Sequence, residues 1–328
     1  MNLVWACLLL FGGLVLLWKC ADFLVSGAVS LARQLGVSPL IIGLTIVAMG
    51  TSAPEVAASI AAALRGAGDV AIGNVYGSNI ANLALVGGIA ALIWPIAVRK
   101  QTLYREMPVM ILVGLLLWPV LGNLNLSRLE GVGLLVVFAV LIILTVHMAR
   151  KEKKSADEKI SSTEYRAPKA EVAKNGNNIK KDILLIIVGL AGLAIGADIT
   201  VRGAVFIGGR IGLSQAVIGL TIIAFGTSLP ELATCIVASL KRHDEISIGN
   251  LVGSNIFNTL LVTGTAGTVR PFAIAQRLIG VDYWVMIFVS IGFVCAAIVG
   301  RRSIGRLTGA LLLCGYVAYI IYLLAFSV

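Results

Sequence analysis

Residues 22 to 82 of the chain are written a second time, without a gap, at residues 198 to 258, with 30 identities in 61 aligned positions. A duplication this close restricts the chain to architectures made of two copies of one unit. The identities fall on residues that are costly to bury: Glu55 and Glu231, Pro54 and Pro230, Asn74 and Asn250, Asn79 and Asn255, Asn82 and Asn258. Shared greasiness alone would match leucine with leucine.

Composition identifies the solvent. Apolar residues make up 59% of the chain and charged residues 13%, with a mean hydropathy of +0.98, whereas soluble domains carry about 25% charged residues. The chain therefore reads as an all-α membrane protein in a lipid bilayer. Runs long enough to cross it, about 20 residues each, fall near 3–32, 38–64, 70–96, 104–121, 128–149, 181–208, 214–240, 246–268, 281–300 and 306–327. The first run lacks a basic leader and a small-residue cleavage pattern, so it reads as a retained helix. Cys7, Cys20, Cys235, Cys295 and Cys314 stand singly in apolar segments and read as packing residues.

Ten spans divide into a first five-helix repeat (1–149), a polar linker (150–180) and a second repeat (181–328). Five is odd, so the second repeat enters the membrane from the opposite side and the two are inverted. Lys and Arg gather in cytoplasmic loops. Placing the linker in the cytoplasm puts 19 basic residues on that side against five on the other, with both termini outside. This accounts for the net charge of +10 without a nucleic-acid partner.

Inverted halves with interrupted helices at corresponding places are a recurrent plan of secondary transporters, with the site where the halves meet. The second span carries AMGTSAPE (48–55) and the seventh AFGTSLPE (224–231); the third and eighth carry GNVYGSN (73–79) and GNLVGSN (249–255). Breaks are therefore expected in helices 2, 3, 7 and 8. A proline removes one amide hydrogen and crowds the carbonyl four residues back, so carbonyls near Ala48, Gly50, Thr51, Ala224, Gly226 and Thr227 are expected to be freed, and a cation can satisfy them.

Two acids, Glu55 and Glu231, occupy these broken helices. A carboxylate at mid-membrane costs about 2.5–3.5 kcal/mol on insertion scales, and two held together repel unless a cation lies between them. Around them the sequence offers oxygen: hydroxyls of Thr51, Ser52, Ser78, Thr227, Ser228 and Ser254, amides of Asn82 and Asn258, and the freed carbonyls. Hard cations such as Ca2+ take six to eight oxygens, whereas soft metals prefer Cys or His. Ca2+ and Na+ fit this set. Asp22 and Asp198 read as intrahelical partners of Lys19 and Arg202, with a role in a gate or ion path as the alternative.

The paired GTSAPE and GTSLPE segments, followed by GNVYGSNIAN and GNLVGSNIFN, resemble the two alpha repeats of the sodium/calcium exchanger family within the cation/calcium antiporters. The resemblance implies four clustered cation sites with Glu55 and Glu231 shared between Ca2+ and Na+. It also implies ligation by Thr51, Ser52, Ser78, Asn82 and the Ala48 carbonyl, matched by Thr227, Ser228, Ser254 and the Ala224 carbonyl. The first and sixth helices would slide across the other eight. Several family members have an aspartate where this chain has Asn258, which leaves two carboxylates and two asparagines here.

The function expected is a Na+/Ca2+ antiporter of a bacterial or archaeal plasma membrane, acting as a monomer without a cofactor. A Ca2+/H+ antiporter is the alternative, since the same glutamates could carry protons. A channel would need a continuous pore, and an enzyme a nucleophile or HExxH-type motif that the sequence lacks.

Overall fold

The computed structural model of the chain describes residues 2–162, 178–212 and 224–326. The 163–177 part of the expected linker and the 213–223 part of the expected seventh span lie outside the described residues. The first half contains α1 (Leu3–Leu35), α2 in two arms (Pro39–Thr51 and Ala53–Leu64), α3 (Gly68–Ile93), α4 (Thr102–Leu121) and α5 (Arg128–Ser162). The second contains α6 (Ile179–Arg210), α7 in two arms (Ala224–Thr227 and Leu229–Leu240), α8 (Asp244–Val269), α9 (Leu278–Val299) and α10 (Arg306–Phe326). Helix α5 runs on past its expected end at 149, so the connection between the halves begins as helix.

Local chemistry sets the ends that matter for the site. Helix α1 stops at Gly36, whose φ of 65° suits a residue without a Cβ. Ser38 then caps α2, its hydroxyl accepting the Leu40 N–H ahead of Pro39, which needs no donor in the first turn. Inside α2 the missing amide of Pro54 coincides with a bend of 42° between the arms.

Burial runs opposite to apolarity. The 18-residue core of α5 has a mean hydropathy of 2.7 and is 11% buried, whereas that of α8 has 1.2 and is 89% buried; α3 resembles α8, at 1.4 and 78%. In a bilayer the least apolar helices belong inside the protein, where their polar groups find partners, and the most apolar face the lipid. Helices α3 and α8 thus form the centre, flanked by α2 and α7, with α5 and α10 outermost.

Among the described residues, backbone pairing and close helix packing both join the halves. Strands β1 (Ile96–Ala97), β2 (Asn125–Leu126), β3 (Phe272–Ala273) and β4 (Ser303–Ile304) pair antiparallel as β1 with β4 and β2 with β3, each pair joining one half to the other. Helix α1 lies along α6 through glycines. A Cβ on Gly27 would meet the Asp182 carbonyl at 3.0 Å, and one on its counterpart Gly203 the Ala6 carbonyl at 2.7 Å. Small residues here let two backbones come close, as membrane helices require.

The breaks expected in helices 3 and 8 take the form of wide π-helical turns at Ala81–Val86 and Asn258–Val262, inside otherwise continuous helices. A second matched pair lies at Thr102–Glu106 and Leu278–Asp282, 176 positions apart. The repeat therefore extends beyond the 61 positions in which sequence identity is plain.

Candidate functional site

The two prolines decide where the acids go. Each ends one helical arm and starts another through Ser52 (φ −83°, ψ 6°) or Ser228 (φ −87°, ψ 3°), and each glutamate stands in the first turn of the new arm. A helix N-terminus carries partial positive charge and favours a carboxylate there. Glu55 and Glu231 are both completely buried.

Their partners come from both halves. Glu231 Oε1 accepts from Ser52 Oγ at 3.0 Å and from Ser254 Oγ at 3.4 Å. Glu55 Oε1 accepts from Ser78 Oγ at 3.5 Å. The bond from Ser52 to Glu231 crosses from one half to the other, as does that from Thr51 Oγ1 to Asn250 Oδ1 at 3.1 Å. The site therefore lies at the junction of the repeats.

Much of its polar chemistry is left unused within the protein. Among the described residues, Glu55 Oε2, Glu231 Oε2, Ser228 Oγ and both amide atoms of Asn82 and Asn258 are buried without a hydrogen-bond partner. Unpartnered buried polar groups cost about 1–3 kcal/mol each, more when charged. Five of these seven atoms are oxygens, and a hard cation would satisfy them. Asn82 and Asn258 sit at the π-helical turns of α3 and α8, which re-aim side chains that a regular helix would direct elsewhere. Among the described residues no group of three or more His, Cys, Asp or Glu comes together, so a soft-metal centre has no ligand set there.

The expectation of freed carbonyls needs correction at α2. The Ala48 carbonyl accepts the Ser52 N–H at 3.0 Å and Thr51 Oγ1 at 3.3 Å, and the Gly50 carbonyl also accepts a backbone N–H. Pro54 withdraws a donor from the carbonyl four residues back, that of Gly50, while Ala48 keeps its ordinary helical bond and offers an ion only what lone-pair capacity remains. On the other half, Ala224 opens the short arm and Thr227, half-buried, closes it.

The outer acids behave differently from one another. Arg202 pairs with Asp198 at 2.8 Å within α6, as expected. Asp22 does not pair with Lys19: Lys241, at the end of α7, reaches Asp22 and the Ser26 hydroxyl of α1 instead. Sequence spacing along one helix could not show this contact between halves. Among the further buried acids not singled out from sequence, Glu106 and Asp282 occupy the π-helical turns of α4 and α9, beside Arg105 and Arg277. Their spacing of 176 residues was the available signal.

Comparison with known proteins places this geometry. A family model described as sodium/calcium exchanger protein matches residues 5–146 and 181–325. CaxA of Alkalimonas amylolytica is 42% identical over 309 residues, covering 94% of this chain and 95% of the relative. The sodium/calcium exchanger MaX1 of Methanosarcina acetivorans is 34% identical over 350 residues, covering 96% and 97%. Among solved structures, the sodium-calcium exchanger NCX_Mj soaked with Na+ and Sr2+ matches with a TM-score of 0.81 and 31% identity, over 98% of this chain and 99% of that one. The chain shares its fold of ten helices in two inverted repeats.

Proposed function

The chain belongs to the sodium/calcium exchanger family and is a transporter rather than an enzyme; from that premise we propose that it exchanges Na+ for Ca2+ at one buried site between its halves. The observation that carries this reading is the pair of fully buried glutamates whose Oε2 atoms, with the Asn82 and Asn258 amides and the Ser228 hydroxyl, meet no partner among the described residues. Two like charges in a dry interior are tolerable when a cation neutralises them.

One Ca2+ would cancel both carboxylates. Na+ ions would take the same oxygens in turn, so that the two cargoes compete and each must leave before the other binds. The hydroxyls and amide carbonyls of Thr51, Ser52, Ser78, Asn82, Thr227, Ser228, Ser254 and Asn258 complete the shell, with the Ala48 and Ala224 carbonyls. Alternating access would come from α1 and α6 sliding together over the rest, and the close glycine-lined contact between them is consistent with their moving as one body. We place the 150–180 connection in the cytoplasm and the protein in a plasma membrane, from the distribution of basic residues.

The test is Ca2+ uptake into sealed vesicles preloaded with Na+ and diluted into Na+-free medium, with the proton gradient clamped. Uptake is expected to require internal Na+ and to fall more than ~100-fold in both Glu55→Gln and Glu231→Gln, since removing one partner of a buried charge cluster costs about 3–5 kcal/mol. Uptake that ignores Na+ and follows an imposed pH gradient would establish proton coupling instead.

A further inference from the structure

A threonine hydroxyl holds one proton and two acceptor lone pairs. To ligate a cation through oxygen, Thr51 must send that proton elsewhere. Two carbonyl oxygens lie within its reach, Ala48 O at 3.3 Å and Asn250 Oδ1 at 3.1 Å, and a chain of groups fixes the second as an acceptor.

The chain starts at a carbonyl, which can only accept. Cys235 Sγ donates to the Ser247 backbone oxygen at 3.7 Å, so its sulfur presents lone pairs on the other side. Asn250 Nδ2 donates to that sulfur at 3.5 Å. The donor end of the Asn250 amide is thereby committed to Cys235, and its carbonyl end, Oδ1, faces Thr51 Oγ1 at 3.1 Å. A carbonyl cannot donate, so this contact needs the Thr51 proton, and at 3.1 Å it is shorter than the competing one to the Ala48 carbonyl at 3.3 Å. Ser247, Cys235, Asn250 and Thr51 are at most 1% exposed, so water does not compete.

The first half contains the same chain with different chemistry. Ser59 Oγ donates to the Ala71 carbonyl at 3.3 Å, and Asn74 Nδ2 donates to Ser59 Oγ at 2.9 Å. Ala71, Ser59 and Asn74 stand 176 positions before Ser247, Cys235 and Asn250. Thiol and hydroxyl have replaced one another while the direction of donation is the same in both copies. Asn74 Nδ2 also donates to the Glu55 backbone carbonyl at 3.2 Å, and Thr227 stands 176 positions after Thr51.

We propose that Asn250 is a positioning residue for ion binding: through a one-way hydrogen-bond chain from the Ser247 carbonyl, it takes the Thr51 hydroxyl proton and turns that oxygen's lone pairs toward the ions. This inference rests on the exchange site proposed above. It gives Cys235, a packing residue by sequence, a second task as the link that sets the polarity of the amide.

The experiment is a double-mutant cycle on the full-length protein in liposomes, with half-saturating Na+ and half-saturating Ca2+ measured separately. Asn250→Leu and Thr51→Val are each expected to raise the half-saturating concentrations roughly three- to tenfold, the range for loss of one buried hydrogen bond. The double variant should be no worse than Thr51→Val alone in both half-saturating concentrations, because both changes remove the same oriented oxygen. Effects that multiply, or an Asn250→Leu defect confined to the maximal rate, would overturn the proposal. Should Asn250→Leu fail to fold, Cys235→Val breaks the chain one link earlier and is expected to raise the half-saturating concentrations likewise. Cys235→Ser should bring them back to within about twofold of the wild type, and equal effects of the two Cys235 variants would overturn the chain. A wild type whose uptake ignores Na+ would sink the sodium reading alone, leaving the cycle readable in half-saturating Ca2+.

Discussion

Ser52 of the first half donates to Glu231 at 3.0 Å, whereas Ser228, its counterpart 176 positions later, is equally buried and meets no partner among the described residues. The same inequality recurs further out. Lys241 ties α7 to Asp22 of α1, while Asp198, the counterpart of Asp22, is held by Arg202 of its own helix. On the face where α1 ends and α6 begins, Gln34 donates to the buried Asp182, and Glu245 receives both Ser38 and Arg99. On the opposite face, among the described residues, the ties between halves include Asp69 to the Ala275 N–H and Arg270 to the Leu64 carbonyl, beside the β2–β3 pair. Among the described residues, two copies of one sequence have thus settled into unequal contacts.

The largest test of this difference is at the serines. Ser52→Ala removes the 3.0 Å hydroxyl bond to Glu231, leaving the hydroxyls of Thr51 and Ser254 beside it, and is expected to destabilise the ion-free protein by about 1 kcal/mol, a melting temperature lower by roughly 2–4 °C. Ser228→Ala should leave that temperature unchanged and reduce the stabilisation gained on adding Ca2+. Equal losses in the ion-free protein would show that the halves are equivalent. A smaller effect is expected at the lysine tie. Its two side chains are about a third or more exposed, and such pairs contribute about 0–1 kcal/mol. Lys241→Met should change the ratio of half-saturating Ca2+ measured from the two membrane sides by about two- to fivefold, and Arg202→Met should change it less; the reverse order would break the comparison.

The smallest effect concerns His243, which precedes α8. Burial, then the positive charges of Arg33 and Lys241, push its imidazole below the ordinary range. The unfolded chain therefore binds this proton more readily than the folded protein, so stability rises as pH increases through the window below about 6.5 and is lost as pH falls. His243→Gln should flatten the acid side of the melting curve against pH, by less than ~2 °C. An unchanged slope would remove His243 from the account.

Much of the site was legible because the chain states it twice. Matching Glu55 with Glu231 and Asn82 with Asn258 located the polar centre, since two independent copies of an expensive buried group are hard to explain by packing. Periodic apolar runs located the helices for the same reason that makes them helices: backbone groups in lipid must bond within the segment. The Ala48 carbonyl keeps its helical bond from Ser52, because the missing amide of Pro54 bears on Gly50, four residues back. Asn250 and Cys235 were visible as residues but not as a chain, since direction of donation depends on which atoms face each other across three helices.

The sequence by itself determined the number of repeats, their inversion, the membrane as solvent and the oxygen-rich character of the centre, because these follow from composition, parity and periodicity along one dimension. Tertiary structure alone decided which hydroxyl serves which glutamate, which lysine reaches Asp22 and how two matching copies come to differ. Those contacts are set by the packing of helices from opposite halves, where small differences in side chains such as Ser59 and Cys235 shift hydrogen bonds by fractions of an ångström. A repeat in sequence specifies equal parts, and the free energy of their joint packing selects an unequal arrangement of them.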